Sequence, residues 1–283
     1  MSETTATLDR FGSAEVTGAG GARRRHWDLI LMLALTEYRR RYAGSALGYA
    51  WTLLRPLMLF AVLYAVFTQV IRFGDSVPSY PVLLLFGITL FLFFQEGTNA
   101  GLRAFVARGP IMRNLKMSPL VAPLSAILAA ALTFAASLTI ALVWILAYGV
   151  RPTATWLLLP LLLLYLAVLT ISIGVLLSVL FVRFRDVGQA WQPISRLLFY
   201  ASPILYPFEF IPEGIFRTLA ALNPLSPLFV QARQWIIDPD APGWGEVASN
   251  GFQLVAPFVF TVALCALAVL AYRTARRLIP EML

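Results

Sequence analysis

Of the side chains that most often carry chemistry, this chain of 283 residues has one histidine, one cysteine and one lysine. A single cysteine, Cys265, excludes an intrachain disulfide, and its place in an apolar run gives it a buried packing role. His26 stands beside Arg23, Arg24 and Arg25 as a solvated boundary residue, not a ligand. HExxH, CxxC and GxSxG are all missing, which removes the motifs of metalloprotease, thiol-redox and serine-hydrolase chemistry. Lys116 follows Leu115, so the chain has no G-x-x-x-x-G-K-[ST] loop and is not expected to hydrolyse ATP itself. Charge is scarce as well: 13% of residues are charged, about half the share usual in soluble domains.

What fills the chain instead is apolar: 59% of residues are hydrophobic, and the mean hydropathy is +0.77. This is the composition of an integral membrane protein, and the apolar runs are too long and too free of alternation for a β-barrel. A span needs about 20 apolar residues. Runs of that kind cover Trp51 to Ile71, Tyr80 to Ala100, Pro119 to Ala147, Trp156 to Phe181 and Phe252 to Tyr272. Residues 1–25 are polar and rich in Gly, Ala and Thr, without the apolar core of a signal peptide, and read as a disordered cytoplasmic tail. The rest, 26–283, reads as a single membrane domain.

LLFYASPILYPF, Leu197 to Phe208, is ambiguous because two prolines interrupt it. Charge resolves the ambiguity, since Lys and Arg accumulate on the cytoplasmic side. With six spans and the N-terminus inside, the inner segments hold most of the arginines, while the outer ones hold only Arg72, Arg151, Arg217 and Arg233. With five spans the basic C-terminus would fall outside. The stretch therefore reads as the outer end of a fifth crossing helix, from Val187 to Pro207, bent and then ended by Pro203 and Pro207. Both termini are then cytoplasmic.

Three further segments are not spans. HWDLILMLALTEYRRRYAGSAL, from His26, combines an apolar side (Leu29, Met32, Leu33, Leu35) with Arg39, Arg40 and Arg41, the pattern of a helix lying in the membrane interface. GLRAFVARGPIMRNLKM, from Gly101, has four cations and no acid, with apolar residues between them. A short amphipathic helix there would offer a ridge to a cytoplasmic partner. Between Glu209 and Gly251, Ile215 to Leu222 and Ser226 to Ile237 read as two helices too short to cross, bounded by Pro212, Pro224, Asn223 and Asp238. Their apolar character suits re-entrant helices on the outer side. Within the second span, Glu96 stands out beside Gln95 and Asn99, either as a polar helix contact or as part of a substrate path.

Four stretches together resemble one family, the membrane subunits of ABC exporters for lipid-linked polysaccharides such as O-antigen and teichoic acid. They are YRRRYAGSALGYAWTLLRPL from Tyr38, NLKMSPLVAPLS from Asn114, FVRFRDVGQAW from Phe181, and SPILYPFEFIPEG through LNPLSPLFVQARQWI from Ser202. The second departs from the family pattern, with Ser118 and Pro119 where Phe-Pro is usual. The resemblance implies an all-α homodimer of six-helix subunits in the inner membrane, bearing two separate ATP-binding-cassette subunits that hold ATP and Mg; no cofactor sits in this chain and no nucleic acid is a partner. It makes Arg103, Arg108, Ile111, Arg113 and Lys116 the region coupled to the ATPase. The substrate would be an undecaprenyl diphosphate glycan. Its dianionic headgroup suits arginine, for which Arg39, Arg40, Arg41, Arg55, Arg183 and Arg185 are candidates. Tyr49, Trp51, Tyr64, Trp191, Phe199, Tyr200 and Tyr206 are candidates for sugar-tolerant channel walls, although aromatic belts at membrane interfaces use the same residues. Two other readings share parts of this pattern: a type-two exporter of a small drug or lipid, and a membrane glycosyltransferase using Glu209 and Glu213.

Overall fold

Helices make up nearly all of a computed structural model that describes residues 19–42, 50–72, 77–109 and 118–275, and no strand occurs among them. The helix α1 runs over Ala19–Tyr42, and α2, Trp51–Ala65, continues through a π-type turn at Val66–Val70. Next come α3 (Tyr80–Ala107), α4 (Val121–Ala147) and α5 (Leu159–Arg183), the last preceded by a 3-10 turn at Ala154–Leu158. The outer segment follows α6 (Val187–Ala201) and comprises α7 (Ile215–Leu222), α8 (Ser226–Ala232) with its π-type extension Arg233–Ile237, and α9 (Trp244–Val247). The helix α10, Gly251–Ala275, ends the described chain.

Among the described residues, four helices are long and apolar enough to cross a membrane: Tyr80–Ala107, Val121–Ala147, Ala154–Arg183 and Gly251–Thr274. The expected first span is a shorter apolar helix, Leu54–Val70. The expected fifth span is shorter than the sequence suggested. It has 15 residues, about 22 Å at 1.5 Å per residue, and stops at Ala201 instead of reaching Pro207. The cause is local: Pro203 forces the preceding Ser202 out of helical geometry (φ −91, ψ 147). Pro203 therefore ends the helix and does not bend it. The two short outer helices fall where the sequence placed them, with the second closing on the π-type turn to Ile237. At the other end, α1 begins at Ala19, inside the stretch read as tail. Residues 1–18 lie outside the described residues.

Hydropathy does not distinguish the centre from the rim, but packing does. The apolar window of α3 is 78% buried and that of α10 only 17%, so α3 is the axis and α10 a peripheral helix. α4 and α5 flank α3, α1 lies along α4, and α10 rests on α5. The close fit of α3 to α5 comes from small residues. Gly97 and Gly101, four residues apart on α3, face Thr170 and Gly174, four apart on α5. A methyl on Gly101 would lie 2.9 Å from the Gly174 Cα and one on Gly97 2.5 Å from the Thr170 Cγ2. This is the small-xxx-small packing by which membrane helices approach where lipid provides no hydrophobic drive.

Beyond α6 the chain builds a second core of its own from Phe208, Ile211, Ala220, Ala221, Val230, Trp244 and Val247. Arg217 stacks 5.7 Å over Phe208 and donates to the Val247 carbonyl at 2.8 Å. Arg233 pairs with Glu209 and Asp238, so these outer acids are engaged within the cap. The cap is fastened to the axis by Tyr80, 1% exposed, whose hydroxyl donates to the Leu205 carbonyl at 2.9 Å. Tyr80→Phe removes the hydroxyl that makes that bond. Its expected cost is roughly 1–2 kcal/mol, read as a melting point lowered by a few degrees in detergent; an unchanged melt would show that this bond is not what holds the cap.

Candidate functional site

Polar residues in the apolar axis collect on one face. Glu96, Asn99, Ala100, Arg103 and Ala107 recur at three- and four-residue spacing along α3, so they share one side of the helix. That side lines a cleft of about 610 Å³. Glu37 and Arg41, one turn apart at the end of α1, close it on one side, and Gln192, Ser195 and Arg196 of α6 close it on another. A second cleft of about 550 Å³ adjoins it, bounded by Trp51, Thr52 and Arg55 of α2 and by Thr133, Phe134 and Ser137 of α4. Arg41, Gln95, Glu96 and Asn99 line both.

The partition between the clefts is an ion pair. The Arg41 Nη1 donates to the Glu96 Oε1, joining α1 to α3. Around it the amides are fixed by the helix: Asn99 donates to the Gln95 carbonyl at 2.8 Å, and the Gln95 Nε2 reaches the Ser195 Oγ at 3.3 Å. Ser195 belongs to the narrow buried stripe of α6, Trp191, Ser195 and Phe199 at four-residue spacing, which seats that helix on α3. Trp191 lies against Phe94 and donates to Thr98, while Phe199 meets Phe91 edge-on at 5.1 Å.

The cationic candidates separate accordingly. Arg41 and Arg55 line the clefts, while Arg39 and Arg40 are exposed at the end of α1. Arg183 and Arg185 line neither cleft; they stack on Phe184 and Phe181 at 5.6 and 5.2 Å. Arg103, which sequence reasoning assigned to coupling, and Arg196 both line the first cleft. Arg108 is also at its edge but is 8% exposed and turned inward, bonded to the Ala122 carbonyl at 2.6 Å and to Ser125. Burial pushes its guanidinium below the ordinary value, and Glu37 acts in the opposite direction. Four arginines against two glutamates leave the first cleft with a surplus of positive charge.

The aromatic candidates separate as well. Trp191 and Phe199 are packed inside the subunit, and Tyr64 stacks on Phe60 at 5.4 Å. Trp51 lines the second cleft, Tyr200 is 59% exposed, and the Tyr206 hydroxyl donates to the Tyr200 carbonyl at 2.9 Å. Tyr49, Ile111, Arg113 and Lys116 lie outside the described residues. Sequence reasoning missed Gln192 and Ser195. The available signal was their polarity within α6, at the three- and four-residue spacing that places Gln192 and Ser195 beside Arg196 on the cleft side.

Helices of this length, an axis with a polar face and a separately cored outer segment define a multi-pass membrane protein. The model of the ABC-2 type transporter family matches residues 28–236. The chain belongs to the ABC-2 type transporter family. Similar members include the O-antigen export system permease protein RfbA of Klebsiella pneumoniae, 28% identical over 209 residues, 74% of this chain and 80% of the relative. A protein of the same description from Myxococcus xanthus is 31% identical over 198 residues, 70% of this chain and 75% of its own. The polysialic acid transport protein KpsM of Escherichia coli is 25% identical over 250 residues, 86% and 91% of the two chains. The family match begins within α1 and ends within the π-type extension of α8, so it takes in both clefts and most of the cap.

Proposed function

We propose that this chain is the membrane subunit of an ATP-driven exporter that moves lipid-linked polysaccharide, an undecaprenyl diphosphate glycan such as O-antigen, across the cytoplasmic membrane. The observation that carries the reading is the match, over most of the chain, to permeases named for O-antigen export and polysialic acid transport. The clefts supply a suitable chemistry: amides for sugar hydroxyls and surplus arginine for a diphosphate. In this reading two copies enclose the path, each docked on an ATP-binding-cassette subunit that binds ATP and Mg. Six segments cross, the shorter α2 and α6 among them, and the cap helices form the outer gate. The basic loop after α3 and both termini face the cytoplasm, as the arginine distribution favours. Arg103 to Lys116 receive the ATPase stroke.

Deletion of the gene is the test. Lipid-linked glycan is expected to accumulate on the cytoplasmic leaflet, with surface glycan lost. Absence of the glycan from both leaflets would mean that the chain acts in synthesis, and unchanged surface glycan would overturn the export reading.

A further inference from the structure

The ion pair between the clefts is in an unusual position for a structural brace. Its two side chains are 27% and 29% exposed, partly desolvated yet open to whatever enters either cleft. Such a pair is held by more than a surface contact and by much less than a sealed one, so a competing anion can break it. The competing sites are already present. Arg103 and Arg196 line the first cleft with Arg41, and neither is ion-paired among the described residues. On the far side Glu96 shares the second cleft with Arg55, also unpaired among the described residues.

We propose that the Glu96 carboxylate is a stand-in for cargo: a lipid-linked diphosphate entering the first cleft takes Arg41 from Glu96, and Glu96 turns to Arg55. The proposal rests on the export reading and adds to it a site and a release step. Charge is conserved in the exchange, since a carboxylate–guanidinium contact is replaced by a phosphate–guanidinium contact and a second carboxylate contact forms on α2. Number favours the phosphate, which meets three guanidinium groups lining the first cleft, Arg41, Arg103 and Arg196, while Glu96 engages one. The consequence is mechanical: with Arg41 withdrawn, the partition opens, and α2 is drawn toward α3. An empty transporter keeps the clefts apart, and a loaded one joins them. Without cargo, Glu96 also partly neutralises the cleft and discourages stray anions.

Binding measurements on the full chain purified with its ATPase subunit in lipid nanodiscs test this, using farnesyl diphosphate, inorganic pyrophosphate and farnesol as probes. Farnesyl diphosphate is expected to bind the wild type best. Glu96→Gln, by freeing Arg41, tightens it about fivefold, while Arg41→Gln weakens it about tenfold and Arg55→Gln about threefold. Glu96→Asp keeps the charge but shortens its reach to Arg41, and tightens binding by a smaller factor should Glu96→Gln not accumulate. A merely structural pair would shift affinity in the same direction for Glu96→Gln and Arg41→Gln; that result overturns the exchange and leaves the export reading untouched. Equal binding of farnesol, or pyrophosphate binding as tightly as farnesyl diphosphate, overturns recognition of a lipid-linked diphosphate and counts against the export reading as well.

Discussion

Gly101→Leu is expected to abolish the folded protein, and the smaller change Gly101→Ala to cost roughly 2–3 kcal/mol. The reason is what a new methyl would meet. At Gly101 it meets the backbone of α5 three times over, the Gly174 Cα, O and C at 2.9, 3.0 and 3.1 Å. Backbone cannot turn aside as a side chain does, so α3 and α5 must separate along their length, opening the axis of the molecule. The same methyl placed on the opposite glycine provides the control. At Gly174 it meets the Ile127 Cδ1 at 2.8 Å, the free end of a flexible side chain, and then the Gly101 Cα at an ordinary 3.7 Å. Gly174→Ala should therefore cost under about 1 kcal/mol by a rotamer change at Ile127. Thermal unfolding of the two variants in detergent checks the contrast; equal melting points would mean that the helices are not in this register.

Arg103 and Arg108 are expected to fail in different ways, although both belong to the same basic segment. Arg108→Gln should lose folded protein, because its guanidinium is buried and bonded to Ala122 and Ser125, tying the end of α3 to the start of α4. Truncation empties that site and removes two partners at once, at a cost of roughly 2–4 kcal/mol. Arg103→Gln should leave the melt unchanged, since the residue is exposed and makes no ion pair among the described residues. Its effect is expected in transport, about tenfold at equal protein level, as one of the cleft's cations is lost. Melting curves and export rates measured together separate the two. An Arg108→Gln protein that melts like the wild type but exports slowly would return Arg108 to the surface that meets the ATPase.

These two arginines also mark where sequence reasoning stops. The helical class and the short outer helices were legible because each depends on a local run of residues with clear ends, such as Pro224 before α8 and Asn223 after α7. The end of α6 was less legible: Val187 to Pro207 is long enough on hydropathy, but a single Ser-Pro step decides the boundary. Which face of a helix is buried was least legible. Leu29, Met32, Leu33 and Leu35 read as the apolar side of α1, yet Ile30 and Ala34 are the residues buried, while Trp27, Leu31, Met32 and Leu35 point outward. In an apolar chain every face is hydrophobic, so periodicity carries little information about depth. Trp191 and Phe199 illustrate the same point, since nothing in their neighbours distinguishes a wall from a core. Glu96 stood out because a lone carboxylate in a span needs a partner, but the distance from Arg41 along the chain hid which one.

That separation in sequence has an order in time. Synthesis delivers α1 before α3, and α3 before α4 and α5, so the helix destined for the centre reaches the bilayer while its eventual neighbours are still unmade. An isolated α3 would bring a carboxylate and two amides into lipid with nothing to meet them. Arg41, however, has already left the ribosome, on a helix whose basic end is suited to wait at the headgroups. The contact between Arg41 and Glu96 is therefore one that the nascent chain can make before α4 and α5 exist.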